Sequence, residues 1–193
     1  MNLPNKFTIA RLVLTAIFFV LIAIARPGQI ALLIASLALF SAAAFTDLID
    51  GWLARKYKMV TDFGRVADPF ADKILICGAL IFLLAKGHEA SRVRDWMVVI
   101  ILAREFLVSG MRSMAESRGI PFGATWWGKL KMLSQNLAVG FSIVYMMHSI
   151  FPPQAEPALR VIADAVVYIA TALTAISGIV YVTRAKKVLK LDA

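Results

Sequence analysis

The chain has 193 residues, of which 60% are hydrophobic and 17% charged, and its formal net charge is +9. A mean hydropathy of +0.77, spread over the whole length, excludes a soluble domain carrying one anchor, since soluble domains hold roughly 45–50% apolar residues. A single cysteine, Cys77, excludes an internal disulfide and a thiolate metal site, and basic residues set between apolar segments argue for membrane topology and anionic lipid rather than nucleic acid.

Taken in chain order, "NLPNKFT" (2–8) reads as a short amphipathic lead-in with Pro4 near a helix start. Residues 1–25 imitate a signal peptide, with Lys6 and Arg11, an apolar stretch and then "AIA" at 23–25. Equally apolar segments follow, so the first one is read as staying in the membrane. A span needs roughly 20 mostly apolar residues, and six segments qualify, at about 7–25, 29–55, 69–86, 93–117, 126–148 and 158–184. "RPGQ" (26–29) and "FPPQAEP" (151–157) break the pattern, and 86–95 and 115–124 are polar loops. The expected fold is all-α: six transmembrane helices and a short N-terminal amphipathic helix, in one domain over 1–193.

With the N-terminus in the cytoplasm, sixteen of the 21 basic residues fall to the cytoplasmic side and five to the other. The positive-inside rule then expects an integral, multi-pass protein of the bacterial cell membrane with both termini, including "RAKKVLK" (184–190), cytoplasmic. Trp126 and Trp127 read as part of an aromatic belt at the interface. His88 and His148 fall at outer helix ends and are read as structural. Asp164 is expected to pair with Arg160, four residues earlier, and Glu105 to bond Ser109 within its helix.

Four aspartates stand where the second and third segments meet. Asp47 and Asp50 are three residues apart, and Asp68 and Asp72 four apart, spacings that put each pair on one face of a helix. A loop of about ten residues between the helices makes them antiparallel neighbours that share a cytoplasmic end. An unpaired Asp at a helix centre costs roughly 2.5–3.5 kcal/mol on insertion, and four together repel one another. Such a cup makes physical sense when cations fill it. Hard divalent ions take oxygen ligands, and two of them, Mg²⁺ or Mn²⁺, suit this many carboxylates together with a phosphate-bearing substrate. Gly51 and Gly64 either pack helices closely or let a substrate group approach the backbone. Ala54 extends that small-residue face. Arg55, past the cup toward the cytoplasm, is an anchor or grips a phosphate. Asp62 is read as a solvated or capping loop residue.

Written out, the pattern is Asp47-x2-Asp50-Gly51-x2-Ala54-Arg55-x8-Gly64-x3-Asp68-x3-Asp72. It resembles, without a departure, the signature of the CDP-alcohol phosphotransferases. The resemblance implies six membrane helices, a homodimer and a two-metal site at the cytoplasmic interface. It also implies transfer of a substituted phosphate from a CDP-linked donor to an alcohol, with release of CMP. It makes Asp47, Asp50, Asp68 and Asp72 the metal ligands and Asp72 the general base. Gly51, Ala54, Arg55 and Gly64 become donor-binding positions, joined by Asn5, Thr8 and Arg11 of the lead-in.

Away from the signature, "NLPNKFTIARL" (2–12), "ILAREFLVSGMR" (101–112) and "GKLKM" (128–132) are similar to the phosphatidylglycerophosphate synthase branch of that family, with Met132 where Thr is expected. That branch implies CDP-diacylglycerol as donor, held with its acyl chains in the bilayer, and glycerol 3-phosphate as acceptor. Charge points the same way, because a dianionic acceptor needs cations beyond the metals. Arg104 lies inside an apolar segment, where an Arg is expensive and functional by default. Arg112, Lys129 and Lys131 lie toward the same membrane side and complete a candidate acceptor-phosphate pocket. Their alternatives are pairing with Glu105 for Arg104 and interfacial anchoring for the other three. Two rival functions stand beside this one. A cardiolipin synthase of the same superfamily would take phosphatidylglycerol as acceptor. A divalent-cation transporter would place its acids nearer the bilayer midplane.

Overall fold

A computed structural model of the chain describes the backbone of residues 3–57, 62–120 and 126–189, and the side chains of residues 8–46, 70–71, 73–120 and 126–186. The described residues form helices α1 (Leu3–Ile24), α2 (Ile30–Tyr57), α3 (Asp62–Ala85), α4 (His88–Ser91), α5 (Asp95–Ser117), α6 (Trp126–Met146) and α7 (Glu156–Leu189), with two single 3₁₀ turns before α7 and no strand. The six long helices answer to the six apolar segments. By length and composition, one described stretch, Pro153–Lys186, is long and apolar enough to cross a membrane. Thr8–Ile24, Ile30–Thr46 and Lys73–Ala85 are shorter apolar stretches. α5 is interrupted by Arg104, Glu105 and Arg112 and is not uniformly apolar.

Two boundaries depart from expectation in a way that matters for the acids. α2 runs on to Tyr57 and α3 begins at Asp62, so the connection expected to hold about ten residues is reduced to residues 58–61, which lie outside the described set. The third apolar segment is expected from about 69, yet Pro69 falls inside α3. A proline inside a helix removes its own N–H from the ladder and crowds the carbonyl four residues back, and neighbouring helices can make good that loss in an apolar setting. Asp62 therefore opens a helix instead of lying in a loop. The polar loop at 86–95 likewise contains a helical turn, α4, entered through Gly87 at φ +85°, a backbone region that glycine reaches without a Cβ clash.

Side-chain contacts set the direction of each helix. The Phe19 ring lies against Phe82, with centroids 5.1 Å apart, and Lys86 Nζ donates to the Ala23 and Ala25 carbonyls at 2.7 and 2.6 Å, so α1 and α3 run parallel. Arg92, just before α5, meets Asp164 near the start of α7, and Arg104 meets Ser177 further along both helices. α5 and α7 are therefore parallel as well. α6 runs antiparallel to α7, with Lys131 on Glu105 near one end and Tyr145 on Glu156 near the other. One end of the bundle consequently collects the start of α1, the α2–α3 junction, the end of α5, the start of α6 and the end of α7.

The main core is built from Phe18 and Ile22 of α1, Leu33 and Phe40 of α2, Leu75 and Leu80 of α3, Ile101 of α5, and Val139 and Ile143 of α6. α7 adds two smaller clusters, Tyr181 and Ala185 against Val108 and Ala115 of α5, and Val167 and Ala170 against Met97 and Ala138. Cys77 is buried within α3, as its apolar surroundings in the sequence suggest. Close approach of α1 to α3 depends on Gly78, because a Cβ there would stand 2.1 Å from Phe19 Cζ.

Candidate active site

Asp47, Asp50, Gly51, Ala54 and Arg55 fall in α2, and Gly64, Asp68 and Asp72 in α3, on consecutive helices that share an end of the bundle. Their side chains lie outside the described residues, as does that of Asn5 in α1. The helical backbone through 62–72 gives Asp68 and Asp72 the i,i+4 relation that the sequence pattern requires. Leu75 and Ile76, one turn beyond Asp72, share a core with Ile101 of α5 and Val139 of α6. With α5 antiparallel to α3, the next turn of α5 toward the acid end is the one that carries Arg104 and Glu105. The turn of α6 at the same level carries Gln135, followed by Lys131.

At that level the structure brings four of those side chains, with neighbours from α7, into one buried network. Arg104, Glu105 and Lys131 have side chains only 8% exposed. Arg104 Nη1 and Lys131 Nζ both donate to the same Glu105 oxygen, Oε1, the first at 3.3 Å. Arg104 Nε donates to Ser177 Oγ at 3.1 Å, and the guanidinium lies over the Tyr181 ring, 5.4 Å from its centroid. Gln135 reaches the same carboxylate and donates from Nε2 to Thr174 Oγ1 at 3.0 Å. Ionic groups in such a setting are tolerable only when paired and hydrogen-bonded, and here Arg104 and Lys131 are both paired with Glu105. The Arg104 stem passes over Gly178, where a Cβ would come within 3.0 Å of Arg104 Cγ. A groove of about 310 Å³ between α5 and α7, with Ala103, Leu107, Ile179 and Val182 in its walls, adjoins that stem.

The other predicted residues separate into two groups. Arg112 lies about two turns further along α5 and donates from Nη2 to Tyr181 OH at 3.4 Å, which joins it to Arg104 through one aromatic ring. Lys129 is exposed at the start of α6, and Trp126 and Trp127 beside it are 72% and 39% exposed. Thr8 and Arg11 are both buried on α1, so the lead-in carries polar groups into the bundle and is not merely a surface helix. Ser109 does bond within its helix, though to the Glu105 main-chain oxygen, at 2.7 Å, and not to the carboxylate.

One expected pair is corrected. Asp164 is bound by Arg92, whose Nε and Nη2 take its two carboxylate oxygens at 2.9 Å each, while Arg160 turns to Glu89 at 3.4 Å. The two-pronged carboxylate contact from Arg92 outweighs a single exposed i,i+4 partner. Arg92 adopts φ +64°, is 2% exposed and lies 5.5 Å from the centroid of the Tyr145 ring. Its hydrogen bonds to Asp164 hold the guanidinium above the usual arginine range, against the opposing effect of burial. Sequence reasoning missed this clamp and the full part played by Glu105. The signal for Glu105 was present: a carboxylate next to an arginine in mid-helix, with a lysine at the matching level of the next helix.

A family model described as CDP-alcohol phosphatidyltransferase matches residues 1–177. A Bacillus subtilis protein named CDP-diacylglycerol–glycerol-3-phosphate 3-phosphatidyltransferase is 35% identical over 98% of this chain and 97% of its own length. A Mycobacterium tuberculosis protein named probable phosphatidylglycerophosphate synthase is 38% identical over 95% of this chain and 81% of its own. A Rickettsia felis protein with the same name as the Bacillus one is 35% identical, covering 96% of both chains. With the family model spanning most of its length and relatives this similar from end to end, the chain belongs to the CDP-alcohol phosphatidyltransferase family.

Proposed function

We propose that the chain transfers the phosphatidyl group of CDP-diacylglycerol to sn-glycerol 3-phosphate, giving phosphatidylglycerophosphate and CMP, as the names of its relatives describe for those proteins. The observation that carries this reading is the buried arginine–lysine pair at the level of the aspartate helices, Arg104 with Lys131, continued by Arg112. It supplies positive charge where a phosphate-bearing acceptor must stand beside the donor. Lys129, exposed at the start of α6, extends the same positive field toward the entrance.

Four carboxylates at i,i+3 and i,i+4 spacing on two consecutive helices form a hard oxygen donor set that fits two divalent cations, Mg²⁺ or Mn²⁺. Asp47, Asp50, Asp68 and Asp72 would hold them. When bound, such ions neutralise the donor diphosphate and the charge that develops on its leaving group. The chain's own residues do the rest. Arg55 steadies the donor phosphates. Gly51, Ala54 and Gly64 leave room for the cytidine end, and Asn5 and Thr8 of α1 reach the nucleotide. Arg104, Arg112, Lys129 and Lys131 orient the acceptor by its phosphate. Asp72 takes the proton from the attacking hydroxyl, and the new phosphate ester forms as the bond to CMP breaks. A single domain over 1–193 crosses the membrane six times in this reading, with both termini and the site in the cytoplasm, and works as a homodimer. The basic residues gathered at the end where α1 starts and α7 stops support that orientation.

The test is purified protein with CDP-diacylglycerol, labelled glycerol 3-phosphate and Mg²⁺ or Mn²⁺. Labelled phosphatidylglycerophosphate and CMP should appear in equal amounts. Label incorporated only when phosphatidylglycerol replaces glycerol 3-phosphate would move the protein to cardiolipin synthesis. Ion uptake into proteoliposomes without lipid turnover would make it a transporter. Asp72→Asn should lower turnover by about 10²–10⁴, the usual worth of a general base, and near-normal rates would remove Asp72 from the mechanism.

A further inference from the structure

We propose that Glu105 sets the acceptor specificity of the pocket, as a built-in anion that competes with the acceptor's phosphate for Arg104 and Lys131. The inference rests on the reading of those two cations as the acceptor-phosphate site. Both already end on one carboxylate oxygen, Glu105 Oε1, in surroundings where all three side chains are almost fully buried. The carboxylate is not there by default, since Ser177, Tyr181 and Gln135 hold the group in register from α6 and α7. Among the described residues it is the one acid in contact with either cation.

The consequence is a charge threshold. Two cations and one carboxylate leave a single net positive charge. A neutral alcohol or a zwitterionic amino acid brings too little negative charge to draw Arg104 and Lys131 away from Glu105. A phosphate dianion brings two charges and several acceptor oxygens, so it can share or take over both donors. Discrimination of this kind comes from an opposing element inside the site and not from added attraction. Glu105 also keeps the two cations from repelling one another while the pocket is empty, which is why it weakens acceptor binding without being dispensable to the fold.

Glu105→Gln removes the charge and preserves shape. In steady-state assays of the full-length protein, the acceptor KM should fall by roughly threefold or more, the scale expected for losing a close competing charge. The donor KM should be unchanged, and inorganic phosphate should inhibit more strongly than it does the unchanged protein. An acceptor KM that stays level or rises, with no stronger inhibition by phosphate, would overturn the proposal. Should that variant fail to fold, Glu105→Asp keeps the charge but draws it back by one methylene. A smaller fall in acceptor KM is then expected, and a rise would overturn the idea. Lys131→Gln separates the two layers of argument. If it raises the acceptor KM while the Glu105 variants do not lower it, only the role of Glu105 falls. If it leaves the acceptor KM unchanged, the pocket itself is not the acceptor site and both readings fall.

Discussion

A methyl group added at Gly178 would meet Arg104 Cγ at 3.0 Å, so the position of a buried guanidinium depends on an absent side chain on the facing helix. Gly178→Ala should displace Arg104 and raise the acceptor KM severalfold, with the donor KM unchanged in the same titration. Gly78 is the stability counterpart. Its added Cβ would stand 2.1 Å from the Phe19 ring, and overpacking of this kind typically costs about 1–3 kcal/mol. Gly78→Ala should therefore lower the thermal unfolding midpoint in detergent. Arg112 is tied to Tyr181 at 3.4 Å and is proposed to join the acceptor pocket. Arg112→Ala should raise the acceptor KM by about tenfold, the worth of one charge-assisted contact, and a larger rise in the donor KM would assign it to the donor. At this scale the sequence was informative about residue identity and not about partnership. It marked Arg104 as out of place inside an apolar segment and set Lys131 at the start of the next one, but it left open whether they held a ligand, an acid or the interface, because the partners on α6 and α7 are distant from α5 along the chain.

Among the elements, the apolar periods located all six long helices, and the boundaries that moved are those where punctuation is ambiguous. The third apolar segment begins at about 69 in the sequence, yet α3 begins seven residues earlier at Asp62. The Arg92–Asp164 contact is the clearest case of an element placed by a long-range pair. Arg92 closes α4 in a left-handed conformation, with its N–H on the His88 carbonyl, and reaches across to α7. Such a conformation is costly for a residue with a Cβ, and here it is held by a two-pronged carboxylate contact. Arg92→Ala should lower stability by about 1–3 kcal/mol, since it leaves Asp164 without its guanidinium. The KM values for donor and acceptor should not change, because this clamp lies at the end of the bundle opposite the aspartates. Thermal unfolding and the kinetic assay together check the separation.

For the whole molecule, helix directions place the start of α1, the α2–α3 junction and the end of α7 at one end of the bundle. That end also carries most of the basic residues. A cysteine placed at Lys190 should be labelled by an impermeant thiol reagent only from the cytoplasmic face of membrane vesicles, and one at Ser149 only from the other face. Native Cys77 is buried and should stay silent. Removing divalent cations with a chelator should stop turnover, and adding Mg²⁺ or Mn²⁺ should restore it, as checked by CMP release.

The sequence by itself determined the class of fold, the six helices and the reaction family. Those follow from hydropathy along the chain and from eight signature positions whose spacing is local to one helical hairpin. It could not show that Asp164 belongs to Arg92, that Gly178 seats Arg104, or that Arg104 and Lys131 meet on Glu105. Arg92–Asp164, Arg104–Gly178 and Glu105–Lys131 join residues 26 to 74 positions apart. Periodicity says which face of a helix is apolar, but not which neighbour that face will find. Only the packing of α6 and α7 against α5 decided that a pair of candidate phosphate ligands already holds an acid between them.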